Sequence, residues 1–416
     1  MDSNTLRLIR EAELSLKSVY KKIDETALYN FNKVLEAFQK NKISQRHFSG
    51  TTGYGYGDVG RDTLNALFAD ITSSQAAIFS PYLASGTHAL TVALFGLLRP
   101  SGLLLSISGK PYDTLNDVIS KENAGSLKDF GINYEFVEFK NDKFDTLSIK
   151  NILLNNMDVP KVVFLQRSKG YNWRDALSLT DIKKICGFVK AIDEDIVILT
   201  DNCYGEFTDK LEPTQVGADL IAGSLIKNPG GGLAPTGGYI AGKKHLIERI
   251  SNRFTAPSIG TEITSFVSGY LSFYQGLFFA PNVVAAALKG CALMTALFDK
   301  LGYKTMPKPG KVPLDIITSI EFHDKKQLID FMRIIQKTSP VDSFVTPEPW
   351  AMPGYEHEVI MAAGGFIGGS SIELSADAPI KSPYIGYLQG GLTYEHVKIA
   401  AINCADYFLH NVKESI

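Results

Sequence analysis

GSLIKNPGGG, Gly223 to Gly232, carries one lysine between a short apolar run and a proline followed by three glycines. Two readings compete for it. One is a surface turn that closes a strand. The other makes Lys227 a nucleophile, because an amine freed of its proton by a buried setting forms imines with carbonyl compounds. On the second reading the glycines leave room for a ligand and for backbone turns, and Ser224, three residues before the lysine, is placed to share a phosphate with it.

Working outward from Lys227, three other stretches bear on the choice. In DIVILTDNCYGEF a run of β-formers ends at Asp201-Asn202. Ligands of open α/β sheets sit at the carboxyl ends of strands, where a carboxylate can hold a ring nitrogen protonated. A turn cap explains Asp201 about as well. In AIFSPYLASGTHAL, Ser85-Gly86-Thr87 enters a helix, where free N–H groups and the positive end of the helix dipole suit a phosphate. An ordinary N-cap fits the same residues. In GKPYDTL, Tyr112 follows the strand-like GLLLSIS and can lay its ring on a flat heteroaromatic.

These pieces lie in a chain of 416 residues that is 45% apolar and 21% charged, with a net charge of −2, a globular composition with no general electrostatic case for nucleic acid or an anionic membrane. Four dispersed cysteines (Cys186, Cys203, Cys291, Cys404) read as reduced thiols of a cytoplasmic protein. The N-terminus is charged and helix-patterned, unlike a signal peptide. The apolar region Tyr82–Ser108 is broken by Ser85–His88 and Arg99–Gly102, so it supplies no membrane span. Short apolar runs (QAAIFS, GLLLSIS, YEFVEF, KVVFLQ, DIVILTD, ADLIAGS, GGYIAG) alternate with helix-period segments, which predicts an α/β fold with a mostly parallel sheet flanked by helices. The expected organisation is a helical segment over 1–50, a large domain over 51–285 and a smaller α+β domain over 286–416, with a long small-residue helix starting after Pro281.

Taken together, the phosphate cup, the aromatic, the aspartate and an S-x-x-K lysine resemble the fold-type I pyridoxal 5'-phosphate enzymes. SGTTGYGYGDVGRDTL, SGTHAL, QRSKGYNWR, TDNCYGEF, SLIKNPGGGLAPTGGYIAGK and YLQGGLTYEHV more narrowly resemble the methionine gamma-lyase-like family often labelled aluminium resistance protein, a branch related to the cystathionine and methionine lyases. The resemblance covers nearly the whole chain. It implies that Lys227 binds the cofactor covalently and moves the substrate Cα proton, and that Asp201 holds the ring nitrogen. Ser85, Gly86, Thr87 and Ser224 would cradle the phosphate, with Tyr112 on the ring. It further implies that Arg61 and either Tyr54 or Tyr56 reach into a neighbouring subunit's site, hence a homodimer or homotetramer. The implied activity is carbon–sulfur cleavage of a sulfur amino acid to keto acid and ammonia, with a tyrosine among 54, 56 and 112 as general acid. Transamination, γ-replacement and a low-turnover stress role are the alternatives.

One departure stands out. Related enzymes clamp the substrate carboxylate with a C-terminal arginine, whose two-pronged geometry matches it. After residue 300 this chain has only Arg333, on the polar side of a helix. Lys381 or Arg167 is the expected substitute. Other signals carry nothing: G-x-G-x-x-G at Gly55–Gly60 follows no strand, Lys244 stands where a P-loop needs Ser or Thr, and seven scattered histidines show no metal-ligand spacing. His88 either touches the cofactor or packs beneath the helix, and Cys203 reads as packing beside the ring.

Overall fold

The computed structural model describes residues 3–352 and 357–411. Its larger sheet has seven strands in the order Ala76–Ser80, Gly238–Gly242, Leu220–Ser224, Val197–Asp201, Lys161–Gln166, Leu103–Ser106 and Asn133–Phe136. Gly238–Gly242 runs antiparallel to both neighbours, and the other pairings are parallel. Central strands are buried along their whole length, as expected where helices cover both faces of a parallel sheet. Lys161–Gln166 shows how: Val162 and Phe164 join the core under the Gly86–Leu97 helix, while Val163 and Leu165 join the opposite layer with Ile182 and Ile198.

A second sheet has five strands, Lys304–Met306, Ile317–Phe322, Tyr384–Gln389, Ser375–Pro379 and Val359–Ala363 in that order, antiparallel throughout. The fold is therefore the expected α/β, fold-type I arrangement with a further α+β layer.

The long helix begins earlier than its sequence suggests, at Leu271, and runs to Lys300 with Pro281 inside it. Proline usually marks a helix start because it lacks an N–H and crowds the preceding turn, but here the first turns are held by burial of Phe273, Tyr274 and Leu277. By length and composition this helix could cross a membrane, yet 67% of its apolar window is buried within the protein. It is the spine of the main core, lying against the chain's second helix, Lys17–Lys40, and the C-terminal helix Tyr394–Asn411.

Candidate active site

The carboxyl ends of the parallel strands open on one cavity of about 540 Å3. Ser85, Gly86, Thr87, Tyr112, Asp201, Ser224 and Lys227 all line it, although they come from four separate segments. Ser85 caps the Gly86–Leu97 helix by accepting from His88 N at 3.0 Å. Among the described residues, the N–H groups of Gly86 and Thr87 have no protein partner, so they are available to an anion. A Cβ on Gly86 would stand 3.2 Å from Cys203 Sγ and 3.4 Å from Ser224 Cβ, so glycine keeps this cup open opposite Ser224. His88 Nδ1 accepts from Ala84 N at 3.1 Å and does not line the cavity.

Asp201 is the last residue of its strand and is buried; its Oδ1 accepts from Cys203 N at 3.1 Å. Burial pushes its carboxyl up, and Lys227 and the Cys203 contacts pull it partly back. Burial pulls the Lys227 ammonium down, but Cys203, Tyr204, Asp201 and Tyr112 together outweigh that and hold it above the ordinary lysine value. The Tyr112 hydroxyl lies 3.0 Å from Thr87 Oγ1. Its phenol is raised by burial and then by Asp201, and so keeps its proton at neutral pH.

The glycines after Lys227 serve the expected backbone turn, with Gly231 and Gly232 at positive φ, but not the expected space for a ligand. A Cβ at Gly230 would overlap the Leu225 carbonyl, and one at Gly231 the carbonyl of Gly276 in the Leu271–Lys300 helix. They let the turn dock on that helix, which fixes Lys227 from behind; neither lines the cavity.

Neither expected carboxylate clamp faces this cavity. Arg167 is buried and turned beneath the site: its Nη1 donates to Asn202 Oδ1 at 2.7 Å, its Nη2 to Thr208 Oγ1 at 3.2 Å, and Glu212 lies 3.6 Å away. Its placement braces the loop after Asp201. Lys381 is exposed beyond the end of the Ser375–Pro379 strand. Arg333 pairs with Glu348. Tyr54 and Tyr56 are 70% and 69% exposed and do not line this cavity. Arg61 is buried, with Nε 2.8 Å from Asp62 Oδ1 and Nη1 donating to the Gly55 carbonyl at 3.1 Å.

The sequence profile of the methionine gamma-lyase family matches residues 5–409. The chain belongs to that family. An uncharacterized Bacillus subtilis protein, YnbB, is 48% identical over 400 residues, spanning 95% of this chain and 94% of its own. The crystal structure of a carbon-sulfur lyase involved in aluminium resistance from Clostridium novyi NT is 50% identical, with a TM-score of 0.93 over 97% of this chain and 96% of that one. The pyridoxal-5'-phosphate-dependent protein YhfS of Escherichia coli, at 18% identity and a TM-score of 0.62 over 95% and 97% of the two chains, shares the fold alone.

Pyridoxal 5'-phosphate is the cofactor of this family, and the residues present fit it. The open Gly86 cup offers unpartnered N–H groups and the Ser224 hydroxyl to a phosphate, a buried carboxylate stands at a strand end, and a lysine stands beside both. In this methionine gamma-lyase family member, the cavity groups that no local sequence signal marks include Tyr204, Asp377 and Gln389. The Tyr204 ring lies under Lys227, and its hydroxyl donates to Ser371 Oγ at 3.2 Å. Asp377 and Gln389 enter from the second sheet, with Gln389 Nε2 donating to Asp377 Oδ2 at 2.8 Å.

Proposed function

We propose that the protein is a pyridoxal-phosphate-dependent lyase that cleaves a carbon–sulfur bond of a sulfur amino acid, giving a keto acid, ammonia and a sulfur-containing leaving group. The observation that carries this reading is the convergence of Lys227, Asp201 and the Ser85–Thr87 cup on one cavity, in a chain matched almost end to end by the methionine gamma-lyase family. The carbon-sulfur lyase activity named for the Clostridium novyi relative supports it.

When bound, the cofactor supplies an electron sink for the Cα carbanion. The remaining work falls to the chain. Lys227 anchors the cofactor, then takes the proton from substrate Cα with its freed amine. Asp201 would hold the ring nitrogen of the bound cofactor, whose positive charge would oppose the upward push of burial on the carboxyl. The Tyr112 phenol, kept protonated by burial and by Asp201, can donate to the departing sulfur. Tyr54 and Tyr56, exposed on their own protomer, are assigned to a neighbouring subunit's site, whereas Arg61, buried and bonded to the Gly55 carbonyl between them, braces the loop that carries them; the working form is then at least a homodimer and, by pairing of dimers, a homotetramer. Four free, buried cysteines support a cytoplasmic setting.

The test is product release. Holoprotein is given cystathionine, methionine, homocysteine and cysteine separately, with keto acid, ammonia and thiol assayed together against Lys227→Ala. Keto acid and ammonia formed with cleaved sulfur, only when Lys227 is present, are expected. Amino-group transfer to an added keto acid without sulfur release would replace the reading with an aminotransferase; silence on every substrate would sink the lyase.

A further inference from the structure

Among the described residues, the wall of the cavity facing Lys227 offers no lysine or arginine to clamp a carboxylate, and it sets polar groups among apolar ones such as Ile317 and the Tyr171 and Tyr387 rings. Its polar groups come from Gln166 at the end of the Lys161–Gln166 strand, from Tyr171 and Asn172 in the loop that follows, and from Asp377, Tyr387 and Gln389 of the second sheet. The antiparallel register sets Asp377 opposite Tyr387 and Ser375 opposite Gln389. In SADAP the small Ala376 and Ala378 therefore go into the core, and Asp377 goes to the cavity face.

Among the described residues lining the cavity, the charged ones are Lys110, Asp113, Asp201, Lys227 and Asp377. Asp201 and Lys227 are taken by the cofactor, and Lys110 and Asp113 are exposed at the rim. Asp377 is the enclosed charge left over. No lysine or arginine among the described residues forms an ion pair with it. Its protein donors are Gln389 and the Tyr171 side chain, whereas an ionised carboxylate accepts at about four lone-pair sites. Burial pushes the carboxyl up only to about 6, with Tyr171, Gln389 and Lys227 opposing, so at neutral pH it is mostly an anion. A shielded carboxylate without an ion pair of its own favours a ligand that brings a cation and disfavours a ligand that brings a second anion.

We propose that Asp377 is the specificity-determining residue of this site, selecting sulfur amino acids whose sulfur-linked arm carries a second ammonium group. The proposal rests on the lyase reading for the word substrate, but the pairing it describes is a binding property. Thioethers with a distal amine then outrank methionine-like alkyl thioethers of the same size. Asp377 acts by orienting the leaving arm, not by moving a proton.

The experiment uses two nearly isosteric ligands, S-(2-aminoethyl)-L-cysteine and S-propyl-L-cysteine, which differ by an ammonium in place of a methyl. Affinities of the holoprotein for each are measured by calorimetry, and keto-acid release from each is measured in parallel. The expected result is about a tenfold or greater preference for the aminoethyl compound, the scale of one partly desolvated ion pair, collapsing towards equality in Asp377→Asn. Equal affinities in the native protein would overturn the proposal, without need of any variant. So would a preference that survives in Asp377→Asn, or a variant that weakens both ligands alike, the signature of a merely structural residue. Absence of keto acid from both ligands, with the affinity preference intact, would overturn the lyase reading and leave the Asp377 pairing standing.

Discussion

Lys227 Nζ stands 4.1 Å from the centroid of the Tyr204 ring. The ring's negative face stabilises the ammonium, and the backbone goes out of its way to put it there: Tyr204 has φ +70°, a left-handed conformation that an aromatic residue rarely adopts. The hydroxyl end reaches Ser371 of the segment leading into the second sheet's strands. One side chain thus links Lys227 to the wall that carries Asp377.

The two ends of Tyr204 separate by substitution. Tyr204→Phe keeps the ring and loses the Ser371 bond, and is expected to cost keto-acid release roughly threefold. Tyr204→Ala removes the shelf under the lysine and is expected to cost roughly a hundredfold, since misplacing a catalytic group by about an ångström has effects of that size. Single-turnover rates on cofactor-loaded protein make the comparison. Equal losses for the two variants would mean that the hydroxyl, not the ring, matters.

Asp201→Asn preserves shape and removes charge. The cofactor is expected to remain bound through Lys227 and the Ser85–Thr87 cup while turnover falls by roughly two to four orders of magnitude, the scale of losing a charge that acts in the transition state. Absorbance of the bound cofactor checks the first part and product release the second. Loss of the cofactor itself would make Asp201 an anchor and not an electronic partner.

Much of this was legible in the chain because strand runs, helix entries and the lysine turn are local signals. Lys227, Asp201, Ser85, Gly86, Thr87, Tyr112 and Ser224 all end, follow or open an element, and the topology brings such ends together. What was hidden depends on contacts distant in sequence. Asp377 looks like an ordinary strand residue until the second sheet is folded against Lys227. Arg167 was misleading for the opposite reason: it directly follows a strand, as a site residue would, but its side chain is drawn under the sheet end by Asn202, Thr208 and Glu212. The turn made by the glycines after Lys227 is legible, but not their docking, because the Leu271–Lys300 helix they meet begins before Pro281, where the sequence suggests a break.

Glu206 makes a prediction about stability. Its buried carboxyl accepts from Tyr239 Oη at 2.6 Å and is raised by burial from 4.5 to about 8. A raised carboxyl favours the fold while neutral, so this contribution is complete below pH 4.5 and is lost as pH climbs to about 8. Glutamine does not titrate and can still accept from Tyr239. Glu206→Gln should therefore gain on the native protein as pH rises from 5 to 8, by on the order of 3 kcal/mol at pH 7, and then level off. Unfolding midpoints at several pH values test this; a difference independent of pH would contradict it.

Sharing of sites between subunits has its own signature. Lys227→Ala and a Tyr54→Ala/Tyr56→Ala double variant are each expected to lack most activity. Unfolded together and refolded as mixed assemblies, they should recover roughly a quarter of native turnover, because half the dimers then hold one complete site. No recovery would place Tyr54 and Tyr56 outside the neighbour's site.

The central claim is that Lys227 holds the cofactor, and chemical trapping tests it most directly. Holoprotein is reduced with borohydride and digested, and the pyridoxyl-bearing peptide is located by mass. The account predicts the label on Lys227, in the peptide containing Ser224 and the Asn228–Gly232 turn. A label on any other lysine, or none from protein that carries the cofactor's absorbance, would contradict it.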